Sequence, residues 1–117
     1  MMIIAIVKDL FFISKIKETA IQLNKKIFFI KNYDELNNFF DKINEDIDLI
    51  IIDLNFKGIR PLETIKEIKS NKLLKNKKII SYCSHVQTEL MDKAKEFGIV
   101  VMPRSLFTFK LRTIIKN

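Results

Sequence analysis

Residues 49–54 read Leu-Ile-Ile-Ile-Asp-Leu, and this segment decides the fold. Apart from Asp53 it is apolar at successive positions, and three of its residues are β-branched. A strand that is apolar on both faces is typical of a parallel sheet covered by helices on both sides. We therefore predict a buried parallel strand at the centre of an α/β domain.

The segments around this strand alternate between two kinds of apolar pattern. Short apolar runs of strand length occur at residues 3–7, 27–30, 79–82 and 99–102. Between the runs, apolar residues recur at helical spacing, as in the stripe at Leu36, Phe39, Phe40 and Ile43. Five strands alternating with five helices require right-handed crossovers, so the sheet is expected to be parallel, with helices on both faces.

Composition limits the class of protein. The chain has 117 residues, of which 48% are hydrophobic, and we expect one domain over residues 1–117. Its longest apolar runs are too short to span a bilayer. Cys83 is the only cysteine, which excludes an intrachain disulfide and fits a reducing compartment. A cytoplasmic location with no membrane contact is the expectation.

The formal net charge of +7 raises the alternative of a basic nucleic-acid-binding α/β protein. Only Arg60, Arg104 and Arg112 are arginines, although the arginine fork is the better reader of phosphates and bases. The lysines are scattered, apart from a cluster at residues 72–78. This pattern is more typical of a solvated surface than of a nucleic-acid interface.

Ligands of open α/β sheets bind at the carboxyl ends of the strands. The candidate site residues are therefore those that follow each strand. They are Lys8, Asp9, Asp53, Leu54, Asn55, Cys83, Ser84, Pro103, Arg104 and Ser105.

Residues 48–58, Asp-Leu-Ile-Ile-Ile-Asp-Leu-Asn-Phe-Lys-Gly, resemble the third strand and following turn of response-regulator receiver domains, and the resemblance extends over essentially the full chain. It implies a three-layer, flavodoxin-like (βα)₅ sandwich with strand order 2-1-3-4-5. It also implies that Asp53 is the phosphoacceptor and that Mg²⁺ is bound by Asp9, Asp53 and the backbone carbonyl of Asn55. An aspartyl phosphate needs such a cation, because it joins two anionic groups.

The chain departs from the receiver pattern at three places. Lys8 stands where the family has the first acid of a pair, and it is interpreted either as a cation beside the metal site or as a solvent-facing loop residue. Cys83 matches the family Ser or Thr after the fourth strand, with Ser84 as its substitute if the register shifts by one. Arg104 is the basic residue nearest in sequence to the position of the family lysine after the fifth strand. It is interpreted either as a partner of Asp53 or a phosphate, or as a surface arginine that caps nothing.

These departures favour a stand-alone, receiver-like signalling domain with a partly degenerate aspartyl-phosphate pocket, acting through protein–protein interaction. A conventional Mg²⁺-dependent phospho-accepting regulator is the alternative. We expect no enzymatic activity beyond self-phosphorylation at Asp53, because Cys83-Ser84-His85 lacks any oxyanion motif. The expected partner surface is the fourth helix, fifth strand and fifth helix. A histidine kinase and a second copy of the chain are the other expected partners.

Overall fold

The structure is a computed structural model that describes residues 2–43 and 46–116. Residues 1 and 117, the ends of the predicted domain, lie outside the described residues. The strands are β1 (Met2–Ile6), β2 (Lys26–Ile30), β3 (Ile47–Asp53), β4 (Lys78–Cys83) and β5 (Val100–Pro103). The helices are α1 (Leu10–Gln22), α2 (Tyr33–Asp41), α3 (Pro61–Ser70), α4 (Thr88–Lys95) and α5 (Arg104–Lys116).

The five strands form one parallel sheet in the order β2-β1-β3-β4-β5. Both the predicted fold class and the predicted strand order are confirmed. The segment that decided the fold forms the middle strand, where Ile50, Ile51 and Ile52 have no exposed surface. β3 is therefore buried on both faces, as its unbroken apolar run predicts.

Helices cover both faces of the sheet and divide the core in two. On one face, α1 and α5 pack on a cluster that includes Phe12, Ile51 and Phe107. On the other face, α2, α3 and α4 pack on a cluster that includes Ile50 and Ile65. Successive residues of a strand point to opposite faces, so each strand contributes to both clusters.

Local signals place the helix ends. Asn32 caps α2 by accepting a hydrogen bond from the Glu35 backbone N–H at 2.8 Å, and Glu35 Oε1 accepts one from the Lys31 N–H. Pro61 opens α3 at a position where its missing N–H costs nothing. Gly98 follows α4 with φ of 75°, a left-handed conformation that glycine adopts without strain.

The observed boundaries differ from the predicted ones by one or two residues. The third strand begins at Ile47 instead of Leu49, and the fifth runs over Val100–Pro103 instead of residues 99–102. Within residues 2–43 and 46–116, no helix combines the length and the hydropathy that crossing a membrane would require.

Candidate functional site

A pocket of about 300 Å³ lies at the carboxyl ends of the central strands. It is lined by Lys8, Asp9, Asp53, Asn55, Phe56, Lys57, Gly58 and Arg104. Five of these residues were candidates from sequence, and they come from three separate loops. The fold brings them together because the carboxyl ends of parallel strands share one edge of the sheet.

Asp53 is the last residue of β3, and its side chain is only 6% exposed. Its Oδ1 accepts a hydrogen bond from the Asn55 backbone N–H at 2.8 Å. Burial raises the pKa of Asp53 above its ordinary value, although the hydrogen bond from Asn55 and the charge of Arg104 oppose that rise. The predicted phosphoacceptor is thus a shielded carboxyl group with one oxygen already engaged.

Asp9 is the N-cap residue of α1. Its Oδ1 accepts hydrogen bonds from the backbone N–H groups of Phe11 at 2.8 Å and Phe12 at 3.2 Å. A carboxylate at this position stabilises the helix, because it satisfies otherwise unpaired donors and faces the positive end of the helix dipole. Asp9 therefore lines the pocket while also serving a structural role.

The Asn55 side chain is the polar centre of the site. Its Oδ1 accepts hydrogen bonds from the Ser84 backbone N–H at 2.9 Å and from Arg104 Nη2 at 3.0 Å. Its Nδ2 donates to Gln87 Oε1. One amide thus joins the end of β3 to the loop after β4 and to the start of α5.

Three cationic side chains line the same pocket. Arg104 is the first residue of α5, and its guanidinium reaches Asn55. Lys8 and Lys57 complete the set, and both are exposed. Arg104 is exposed, as a surface arginine would be, but its guanidinium donates to Asn55. Lys8 lines the pocket with Asp9 and Asp53 and is also exposed, so both of its interpretations remain open.

The predicted metal ligands Asp9, Asp53 and Asn55 line one pocket. Mg²⁺ requires a nearly octahedral set of oxygen ligands and usually keeps several waters. Among residues 2–43 and 46–116, no three His, Cys, Asp or Glu side chains are grouped to hold a metal. Oδ1 of each carboxylate accepts backbone hydrogen bonds, and cationic side chains share the pocket. The two carboxylates and the Asn55 carbonyl would therefore hold Mg²⁺ only with water completing its coordination.

Cys83 ends β4 and has no exposed surface. Its side chain joins the core cluster under α2, α3 and α4, and it is not among the residues that line the pocket. Burial raises the pKa of the Cys83 thiol, while the nearby Arg104 charge opposes the rise. Ser84 contributes its backbone N–H to the site, through Asn55.

Tyr82 is not among the candidate site residues predicted from the sequence, but it lies opposite Asp53 on β4. It is fully buried, and its ring stacks between Phe12 at 4.6 Å and Phe107 at 4.4 Å, measured between ring centroids. Within the part of the chain that the structure describes, its hydroxyl has no hydrogen-bond partner. Burial raises the pKa of Tyr82, and the charges of Asp53 and Asp9 raise it further. The phenol oxygen therefore lies within electrostatic reach of both pocket carboxylates.

Solved structures with the same fold include receiver domains of two-component systems. The receiver domain of a Clostridium thermocellum two-component protein superposes with a TM-score of 0.85 at 18% identity, covering 98% of this chain and 94% of that one. The chain has the receiver fold.

Two further receivers agree with this identification of the fold. The receiver domain from Rhodospirillum rubrum gives a TM-score of 0.79 at 16% identity, covering 99% of this chain and 92% of that one. The phosphorylated cyanobacterial phytochrome response regulator gives a TM-score of 0.80 at 19% identity, covering 98% of this chain and 88% of that one. Neither a protein-family model nor a curated protein matches the sequence.

Sequence reasoning missed three functional features of this receiver-fold pocket. It assigned Asn55 a role only through its backbone carbonyl, and it gave no role to Lys57 or Gln87. Lys57 follows Asn55 in the turn after β3 and could have been named from that position alone. The Asn55 side chain and Gln87 depend on how two loops approach each other, which no local pattern encodes.

Proposed function

We propose that this chain is a receiver-type signalling domain that acts by binding a protein partner and does not depend on phosphoryl transfer to Asp53. The observation that carries the proposal is that the pocket is already hydrogen-bonded internally: Asn55 is held by Arg104, Ser84 and Gln87. A pocket that is satisfied by its own side chains needs no phosphoryl group to order the loops around it.

The surface formed by α4, β5 and α5 is the proposed partner site. On α5, Phe109 is 85% exposed, and Leu106 lies one helical turn before it at 38% exposure. On β5, an edge strand of the sheet, Val100 is 44% exposed. Phe107, which follows Leu106 on α5, is fully buried and so belongs to the core and not to this surface. Exposed aromatic side chains of this kind are enriched where proteins bind each other.

A pair of charge substitutions tests the partner surface. Phe109→Glu places a charge on α5, and Phe28→Glu is the matched control, because Phe28 is 51% exposed on β2 at the opposite edge of the sheet. Each protein is immobilised in equal amount, and candidate partners, including a histidine kinase and the free chain, are measured by surface plasmon resonance. We expect Phe109→Glu to abolish binding that Phe28→Glu retains.

Sedimentation of the same proteins addresses self-association. Concentration-dependent dimerisation that Phe109→Glu alone removes would identify a second copy of the chain as a partner. Equal binding by both variants would contradict the proposed surface, once circular dichroism has confirmed that both are folded.

A conventional phospho-accepting regulator is the second candidate function, because Asp53 does end the central strand and does line an open pocket. In that case a phosphodonor with Mg²⁺ yields an adduct at Asp53. The nucleic-acid alternative rests on net charge alone, and an absence of DNA or RNA binding at low salt would remove it.

A further inference from the structure

We infer that the Arg104 guanidinium is the resident cation of the pocket: it supplies in cis the positive charge that a divalent ion would supply, and it disfavours binding of such an ion. This inference deepens the proposed function, since it concerns the same pocket, and it rests on that proposal only for its signalling consequence. The metal-binding behaviour of the pocket rests on the contacts and charges of its own residues and is independent of partner binding.

The chain directs Arg104 into the pocket. β5 ends at Pro103, and Arg104 begins α5 at the sheet edge where β3 also ends. Arg104 lines the pocket from this position. Its Nη2 donates to Asn55 Oδ1 at 3.0 Å, so the charged end lies over the loop that follows Asp53.

The acceptor of this hydrogen bond is itself held in place. Asn55 Oδ1 also accepts from the Ser84 N–H, and its Nδ2 donates to Gln87 Oε1. An amide fixed at both ends offers Arg104 an acceptor that does not rotate away. The guanidinium charge is therefore kept at the pocket, although the arginine side chain itself is exposed.

The charge of Arg104 lies among the carboxylates of the pocket. Arg104, Asp9 and Asp53 line the same pocket of about 300 Å³. Asn55, which accepts the hydrogen bond from the guanidinium, is two residues after Asp53. The guanidinium therefore places a positive charge at the end of β3, where a cation bound beside Asp53 would lie.

Two physical effects then disfavour a divalent ion. A fixed guanidinium repels Mg²⁺, and Lys8 and Lys57 add to the repulsion from the same walls. Oδ1 of Asp53 and Oδ1 of Asp9 already accept backbone hydrogen bonds, so each carboxylate has only its Oδ2 free of them to bind a metal. Arginine cannot lose its proton at any accessible pH, so this exclusion persists throughout the physiological range.

The same contacts keep the β4–α4 loop in one arrangement. Arg104, Ser84 and Gln87 all bind one side chain, Asn55, so the loop is fastened to α5 without metal or phosphoryl group. The signalling consequence is a partner surface that is permanently displayed, because the elements that form it are already tied to the pocket.

Titration with Mn²⁺ tests the inference, since Mn²⁺ prefers the same oxygen ligands as Mg²⁺ and broadens nearby NMR signals. The amide signals of Asp9, Asp53 and Asn55 are followed in the wild-type chain and in Arg104→Gln. Arg112→Gln is the matched control, because it removes the same charge from α5 at a residue that contacts Gln22 instead of the pocket.

We expect Arg104→Gln to bind Mn²⁺ at least about tenfold more tightly than the wild type, because one charge a few ångströms from a divalent ion changes its binding by about that factor even in water. Arg112→Gln should match the wild type. Adding Lys8→Asp to Arg104→Gln should tighten binding again, because it supplies a third carboxylate. Tight binding by the wild type, or equal effects of the two arginine substitutions, would overturn the inference.

Should Arg104→Gln fail to fold, the unaltered protein still decides the question. Millimolar Mg²⁺ should leave the amide signals of Asn55 and Ser84 unmoved, and saturable shifts at both would contradict the inference. These outcomes are independent of partner binding. If metal exclusion is confirmed but no partner binds, only the proposed function is refuted. If a partner binds but the wild type also binds the metal tightly, only the inference about Arg104 is refuted.

Discussion

Asp53 and Tyr82 lie opposite each other on β3 and β4, at the last paired position of these strands. Both side chains point to the face covered by α1 and α5, because residues of neighbouring parallel strands that are in register share a face. A carboxyl group and a phenol are thus buried on neighbouring strands, and the phenol hydroxyl has no hydrogen-bond partner among residues 2–43 and 46–116. Each of these buried polar groups leads to a prediction of higher stability when it is replaced.

Tyr82→Phe should stabilise the protein by about 1 kcal/mol, because it removes a buried hydroxyl that has no partner and leaves the stacked ring in place. Urea denaturation followed by far-ultraviolet circular dichroism measures the change. Tyr33→Phe is the control, since Tyr33 is 58% exposed and should change the free energy of unfolding by less than about 0.5 kcal/mol. A loss of stability in Tyr82→Phe would mean that the hydroxyl has a partner.

Asp53→Asn should raise the free energy of unfolding at pH 7. Because burial raises the pKa of Asp53 in the folded state above its ordinary value of 3.8, the folded protein binds a proton more readily than the unfolded chain. The stability that Asp53 contributes is therefore fully present below pH 3.8 and is lost as pH rises through the folded pKa. The urea midpoint of Asp53→Asn should exceed that of the wild type by an amount that grows from pH 3 to pH 7. A difference between the two midpoints that stays constant with pH would contradict this cause.

Cys83 should react with thiol reagents only when the protein opens. The thiol has no exposed surface, and burial raises its pKa, so the reactive thiolate is scarce and shielded. We expect labelling in native buffer at least about a hundredfold slower than in urea. Since Cys83 is the only cysteine, one absorbance signal reports it without ambiguity. If Cys83 in the native protein were labelled as fast as a free thiol, the carboxyl end of β4 would be exposed to solvent and the prediction would be wrong.

Asn55→Ala should destabilise the protein by about 1–2 kcal/mol and release the β4–α4 loop, because it deletes the acceptor of Ser84 and Arg104. Hydrogen exchange at the Ser84 amide should be faster in Asn55→Ala than in the wild type. Asn37→Ala, at an exposed position of α2, is the control and should leave that amide unchanged. If hydrogen exchange at the Ser84 amide were unchanged in Asn55→Ala, Asn55 would not be what holds the β4–α4 loop in place.

The architecture could be predicted from sequence because its signals are local. The unbroken apolar run of β3 indicates a parallel strand, and the resemblance to receivers supplied the order of the sheet. The sequence also predicted that three residues lie close together, because residues that follow parallel strands meet at one edge of the sheet. These residues are Asp9, Asp53 and Arg104. Asp9 directly precedes α1, so its capping role also follows from a local pattern.

The remaining features of the site depend on register and on loop geometry. Whether Tyr82 or Cys83 lies opposite Asp53 changes with a shift of one residue between β3 and β4, and a one-residue shift reverses the face of every side chain. The Asn55 contacts to Gln87 and Arg104 join residues 32 and 49 positions apart. Such long-range pairings have no signature in a single sequence.

The measurement that tests the central claim most directly is phosphorylation of Asp53. The chain and Asp53→Asn are incubated with acetyl phosphate and Mg²⁺, then reduced with borohydride, which converts an aspartyl phosphate to homoserine, and mapped by peptide mass spectrometry. The cyanobacterial phytochrome response regulator, known in its phosphorylated form, is the positive control. We predict no conversion at residue 53 of this chain while the control converts. Homoserine at residue 53 of the wild type, absent from Asp53→Asn, would contradict the account.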